Sequence, residues 1–224
     1  MFSLLRRLLI LAILLVVVAF LLRNQILTYG LKFGLKQTTG FGVKVETIDF
    51  SRFMPPVVFG YNLLVENPED FEEVTALNVS RVEIIGPDDF WQNIDRPRLS
   101  RVKLDIAELA IVRNSTGKLN VLVMEESAKN NPGRLHPYPL IGELELSIDK
   151  VAFYDCYGAI GGVKLPPQII RINLKGQRYR NVQNVAQLER LIIREGLKRA
   201  KFPTLDDTYR ALDISLESIP APTP

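Results

Sequence analysis

The apolar residues change period twice along the chain. Leu8 to Leu22 is an unbroken run of fifteen, LLILAILLVVVAFLL, with Arg6 and Arg7 before it and Arg23 after it. Ile26, Leu27, Leu31, Phe33 and Leu35 extend the apolar series among Lys32 and Lys36, which predicts one helix over residues 1–37. Crossing a bilayer takes about 20 apolar residues. Phe2, Leu4 and Leu5 add to the run, and the flanking arginines can snorkel. A cleaved signal peptide has the same start, with Val17-Val18-Ala19 as a cleavage site. Because Phe20, Leu21 and Leu22 carry the run past that site, an uncleaved membrane anchor is the expectation. Basic residues stand on both sides of the run and do not set its orientation.

After Thr38-Thr39-Gly40 the period becomes two, which marks strands. Strands are expected at Val43 to Phe50, Val57 to Asn67 and Thr75 to Ile85. Others are expected from Arg101 to about Ile111, at Lys118 to Met124, from Leu140 to Ile148, at Val151 to Asp155 and from Ile170 to Lys175. The pattern from Arg101 shifts phase at Ala107, where Leu109 and Ile111 replace the Val102, Leu104, Ile106 series. That predicts a bulge near Ala107 and Glu108. Asn67-Pro68, Asn114 to Gly117 and Asp149-Lys150 read as turns, and 125–139 as a long polar loop. With no helix expected between strands, neighbours joined by short turns pair antiparallel. Residues 38–180 therefore read as one antiparallel β domain.

From Asn184 the period returns to helical. Val185, Leu188, Leu191, Ile192 and Leu197 share one face, so an amphipathic helix is expected within 181–203. Residues 204–224 form a Pro-punctuated tail. The predicted class is mainly β, with an N-terminal transmembrane helix and a C-terminal amphipathic helix.

Composition narrows the function. The net charge is +3, with Lys and Arg spread along the chain, which excludes the clustered basic footprint of a nucleic-acid binder. One cysteine, Cys156, rules out an internal disulfide. With His136 as the one histidine, a His/Cys zinc site is excluded, and no cofactor is expected. Glu125, Glu126, Ser127 and His136 lack a nucleophile elbow. Asp88-Asp89 and Asp206-Asp207 read as solvated loop charges, so no enzyme is expected.

Several motifs, in order, resemble the N-terminal part of AsmA-like bacterial envelope proteins. They are Thr39-Gly40-Phe41-Gly42-Val43-Lys44-Val45, Asn67-Pro68-Glu69-Asp70-Phe71, Ile111 to Asn120 (IVRNSTGKLN) and Val151-Ala152-Phe153-Tyr154-Asp155. The resemblance covers residues 1 to about 155 and omits the C-terminal helix. It implies a curved, taco-like antiparallel sheet with an apolar concave face, held in the inner membrane by a single span and projecting into the periplasm. It also implies a role in phospholipid trafficking or outer-membrane maintenance. The chain is much shorter than the long members, so a complete bridge would need a partner envelope protein or further copies of itself.

On that reading, Val57, Phe59, Tyr61, Leu63, Leu104, Ile106, Leu144, Leu146 and Ile172 are the candidates to line a lipid groove. The same alternation also fits a closed core sealed by the C-terminal helix. In that case the chain is a non-catalytic module that docks a partner protein. The helix could serve as a lid, an edge cap or a docking surface.

Overall fold

The computed structural model describes residues 41–93, 98–130, 140–157, 166–202 and 205. The expected anchor, His136 and its loop, most of the loop after Gly158, the Asp206-Asp207 pair and the C-terminal tail lie outside the described residues.

The chain is mainly β. Six strands form one open sheet in sequence order: β1 (Gly42–Phe53), β2 (Pro56–Glu66), β3 (Thr75–Ile85), β4 (Leu99–Arg113), β5 (Ile141–Asp155) and β6 (Gln168–Val182). A short 3-10 turn, Phe90–Asn93, joins β3 towards β4. Helix α1 (Asn120–Asn130) lies between β4 and β5, and helix α2 (Val185–Ala200) follows β6.

Two expectations about topology are corrected. The sheet is mixed, because β4 and β5 run parallel while every other neighbouring pair is antiparallel. Parallel neighbours need a crossover, and α1 lies on that crossover, where a strand over Lys118 to Met124 was expected. The Asn114 to Gly117 turn forms, but the returning chain makes only an isolated bridge, Arg113 with Leu119, before it turns helical. The second correction concerns Asp149-Lys150. It is not a turn, and β5 runs through it as one fifteen-residue strand. The sheet therefore has six strands where seven or eight were expected.

The main core lies between one face of the sheet and α2. Leu109, Ile111, Leu144, Leu146, Ile148, Val151 and Phe153 are fully buried, with Leu191, Ile193, Leu197 and Phe202 from the C-terminal segment. α2 begins where the Asn184 side chain accepts from the Gln187 backbone N–H at 2.8 Å. It ends at Lys201, whose φ of 48° is left-handed and whose N–H donates to the Leu197 carbonyl. Gly196 sets how closely the helix lies on the sheet, since a Cβ there would come 2.5 Å from Leu109 Cδ2. Glu195, also buried, pairs with Arg199 on the same helix.

Candidate functional site

Each strand changes face at least once. Two consecutive residues point away from the core at Glu46–Thr47 in β1, Tyr61–Asn62 in β2, Ser80–Arg81 in β3 and Ala107–Glu108 in β4. The same happens at Asp149–Lys150 in β5 and Lys175–Gly176 in β6. On both sides of these pairs apolar residues face the core, as with Leu77 and Val79 then Val82, or Leu146 and Ile148 then Val151. These pairs follow one another obliquely across the sheet. Thr47 stands opposite Tyr61, Tyr61 opposite Arg81, and Glu108 opposite Lys150.

Backbone irregularities accompany the line. Asn62 and Gly176 have φ of 51° and 60°. Against β3, Ala107 is the extra residue, because Asn78 pairs with Glu108 and Val79 with Ile106. The bulge therefore lies at the expected place. Beside it a shallow cavity of about 330 Å³ is lined by Ser80, Asp105, Ala107, Ser147, Asp149 and Lys175 among others.

The phase change splits the nine candidate groove residues. Leu63, Leu104, Ile106, Leu144, Leu146 and Ile172 belong to the core face. Val57, Phe59 and Tyr61 belong to the other face, because Asn62 flips the strand before Leu63. Phe59 stands opposite Glu83 and lies under the Arg81 guanidinium, 5.2 Å from the ring centroid. The expectation that Val57, Phe59, Tyr61 and Leu63 share a face is corrected for this reason.

The core face is not evenly covered. α2 packs on β5, β6 and α1, and beneath it Leu144, Leu146 and Ile148 are sealed from solvent. Towards β1 to β3, Leu63, Val65, Val82, Ile84 and Leu104 are only half-buried.

The opposite face carries charge in register. Glu145 receives Arg101 at 2.6 Å and Lys103 at 3.1 Å, with Arg178 at 3.9 Å. Burial alone would push the Glu145 carboxyl up. The hydrogen bonds from Lys103 and Arg101 outweigh that and hold it below the usual carboxylate range. On β5, burial and the neighbouring Glu108 push the Tyr154 phenol up to about 12. Among the described residues, no three His, Cys, Asp or Glu side chains stand together where a metal could bind.

Three of the four motifs that carry the AsmA-like resemblance meet at one corner. Asn120 accepts from the Val112 N–H and donates to the Ala110 carbonyl, each at 2.9 Å, and also reaches Asn67. Asn67 donates to the carbonyls of Glu73 and Thr75. Asn114 donates to the Asp70 carbonyl and accepts from Thr116 and Lys118 inside its own turn. Arg113 clasps Asp155 through two nitrogens, one at 2.8 Å, and lies over the rings of Phe153 and Tyr157. Phe71 joins Ala110 and Val112 in a second small core on the face away from α2. These residues fasten the end of β4 where β3 no longer pairs with it.

Comparison with known proteins finds no matching family model, no matching curated protein and no matching solved structure.

Proposed function

We propose that the chain is a membrane-tethered β protein of the cell envelope, in which a curved sheet holds phospholipid acyl chains on its apolar face. This is the reading the AsmA-like motifs imply, with the Leu8 to Leu22 run as the inner-membrane tether and the sheet in the periplasm. Curvature follows from the line of paired outward residues, since bulges bend strands and raise their twist. The observation that carries the proposal is the uneven cover of the core face. Leu63, Val65, Val82, Ile84 and Leu104 are aligned on one side and only half-buried. Acyl chains favour such a lining by about 25 cal/mol per Å² removed from water. The sealed half under α2, which includes Ile106, Leu144 and Leu146, then serves as the structural core and not as the groove.

Mass spectrometry of the purified full chain tests the proposal. Phospholipid should accompany the wild-type protein, and Ile84→Asp should reduce the amount while the fold persists. Equal lipid in both would refute the groove.

A second reading has its own support. The close seating of Gly196 on Leu109 makes the α2 half a closed core, as a partner-docking module requires. On that reading Ile84→Asp changes partner capture and leaves lipid content unaffected.

A further inference from the structure

The hairpin between β1 and β2 places two large apolar side chains at its tip. Phe53 and Met54 stand there before the turn-forming Pro55 and Pro56, where small or polar residues are usual. Phe53 and Met54 are each 62% exposed. They are backed by an ordered group of rings. Phe53 stacks on Trp91 with centroids 4.7 Å apart and planes 11° from parallel. Phe50 lies 6.2 Å from Phe53 and 6.3 Å from Trp91, and Phe90 meets Trp91 edge-on at 5.2 Å. None of these four rings belongs to either hydrophobic core. The indole N–H of Trp91 donates to the Phe53 carbonyl at 2.8 Å, so the stack meets its surroundings with no unmet donor.

The shape and place of this tip select its partner. Two exposed apolar side chains are few for the roughly 1,000 Å² that a stable protein interface buries. An amphipathic ring cluster with a cation at its margin suits the zone between lipid headgroups and acyl chains. Arg52, exposed beside the rings, is that cation. The tip also lies at the far end of β1 from Gly42. β1 runs from Gly42 to Phe53, and its eleven steps at about 3.3 Å span roughly 36 Å. Gly42 is the end from which the chain leads back to the Leu8 to Leu22 run.

We propose that Phe53 and Met54, backed by Trp91, seat in the interfacial zone of a phospholipid bilayer. Phe53 and Met54 lie at the hairpin tip, beyond the Phe50–Val58 pair at the edge of the apolar sheet face, so their contact is read apart from any acyl chains held at Ile84.

Trp91 is the only tryptophan in the chain and reports on the contact directly. The full chain is reconstituted in phosphatidylethanolamine and phosphatidylglycerol vesicles. Brominated phospholipid is supplied in the host vesicles or in a second, added population. The expected result is a shift of Trp91 emission to shorter wavelength, with quenching stronger for bromines near the headgroup than for bromines deep in the chain. The double variant Phe53→Ser with Met54→Ser should lose the quenching while keeping its far-ultraviolet circular dichroism. Should that variant misfold, Met54→Asp alters one exposed turn residue and should weaken the quenching by itself. Emission indifferent to brominated lipid in both arrangements, or quenching that survives Met54→Asp undiminished, would overturn the proposal. Neither result bears on lipid held at Ile84, which is read separately.

Discussion

Asn120 donates its side-chain amide to the side-chain oxygen of Asn67 across 2.9 Å, joining the first residue of α1 to the turn after β2, 53 residues away in sequence. The same Asn120 amide makes the two hydrogen bonds to Ala110 and Val112 that a neighbouring strand would otherwise make. β3 stops pairing with β4 at Leu109, so these backbone groups would be buried without partners if Asn120 were absent. An unmet buried polar group costs about 1–3 kcal/mol. Asn120→Ala is therefore expected to destabilise the protein by on the order of 3 kcal/mol in urea unfolding. Asn93→Ala, on an exposed 3-10 turn, should change it by less than about 0.5 kcal/mol.

Gly196 and Leu109 give a second prediction. Alanine is the better helix former by about 1 kcal/mol, so an exposed Gly196→Ala would stabilise. Here the added methyl would meet Leu109 Cδ2 in a sealed core, and overpacking costs about 1–3 kcal/mol. Gly196→Ala is expected to destabilise by about 1 kcal/mol. Combined with Leu109→Ala, its effect should fall below the sum of the two single changes, as read from a double-mutant cycle.

The phase change at Ala107 can be tested by deletion. Removing Ala107 restores even alternation from Val102 to Ile111, so Leu109 and Ile111 keep the core face, while the flanking strands retain their own phase changes at Ser80–Arg81 and Asp149–Lys150. The deletion variant should therefore still unfold cooperatively but with a lower urea midpoint, whereas Ala107→Ser should match the wild type. Loss of cooperative unfolding in the deletion variant would mean that Leu109 and Ile111 had left the core face.

Acid should weaken the fold through paired carboxylates. The hydrogen bonds from Arg113 hold Asp155 below its ordinary range despite partial burial, and Glu145 is also held low. A carboxylate depressed in the folded state contributes stability that is complete above its unfolded value, about 4. That contribution is lost as pH falls through the lower folded value. The urea midpoint of the wild type is expected to fall with pH below about 4. Asp155→Asn should show a shallower fall and a lower plateau at neutral pH.

Much of this architecture is legible in the pattern of apolar residues, and the exceptions have physical causes. The helix from Val185 keeps its period because it buries one face throughout, and residues 75–85 read as a strand although their face changes at Ser80–Arg81. The Ala107 shift marks a bulge, and the same logic extends to Asp149-Lys150. That pair reads as a turn because two polar residues interrupt the alternation, yet β5 keeps pairing with β4 on both sides of it. The Asn62 flip is hidden, because Tyr61 keeps an apolar alternation going on the polar face. α1 is illegible for a different reason. Val121 and Val123 alternate as a strand would, and Val121 enters the main core while Val123 packs on the second. Only the side chain of Asn120, acting in place of a strand, reveals why the chain need not return as one.

The central claim is that acyl chains lie against the half-buried apolar face and not against its charged reverse. A photoreactive residue placed in the full chain at Ile84 or Leu104, and in parallel at Glu83 or Lys103, tests it in the native membrane. Neighbouring residues on β3 and β4 point to opposite faces, so the four positions lie at the same level of the sheet and differ in side. The account predicts phospholipid adducts by mass spectrometry at Ile84 and Leu104 and none at Glu83 and Lys103. Adducts at neither pair, or equally at both, would contradict it.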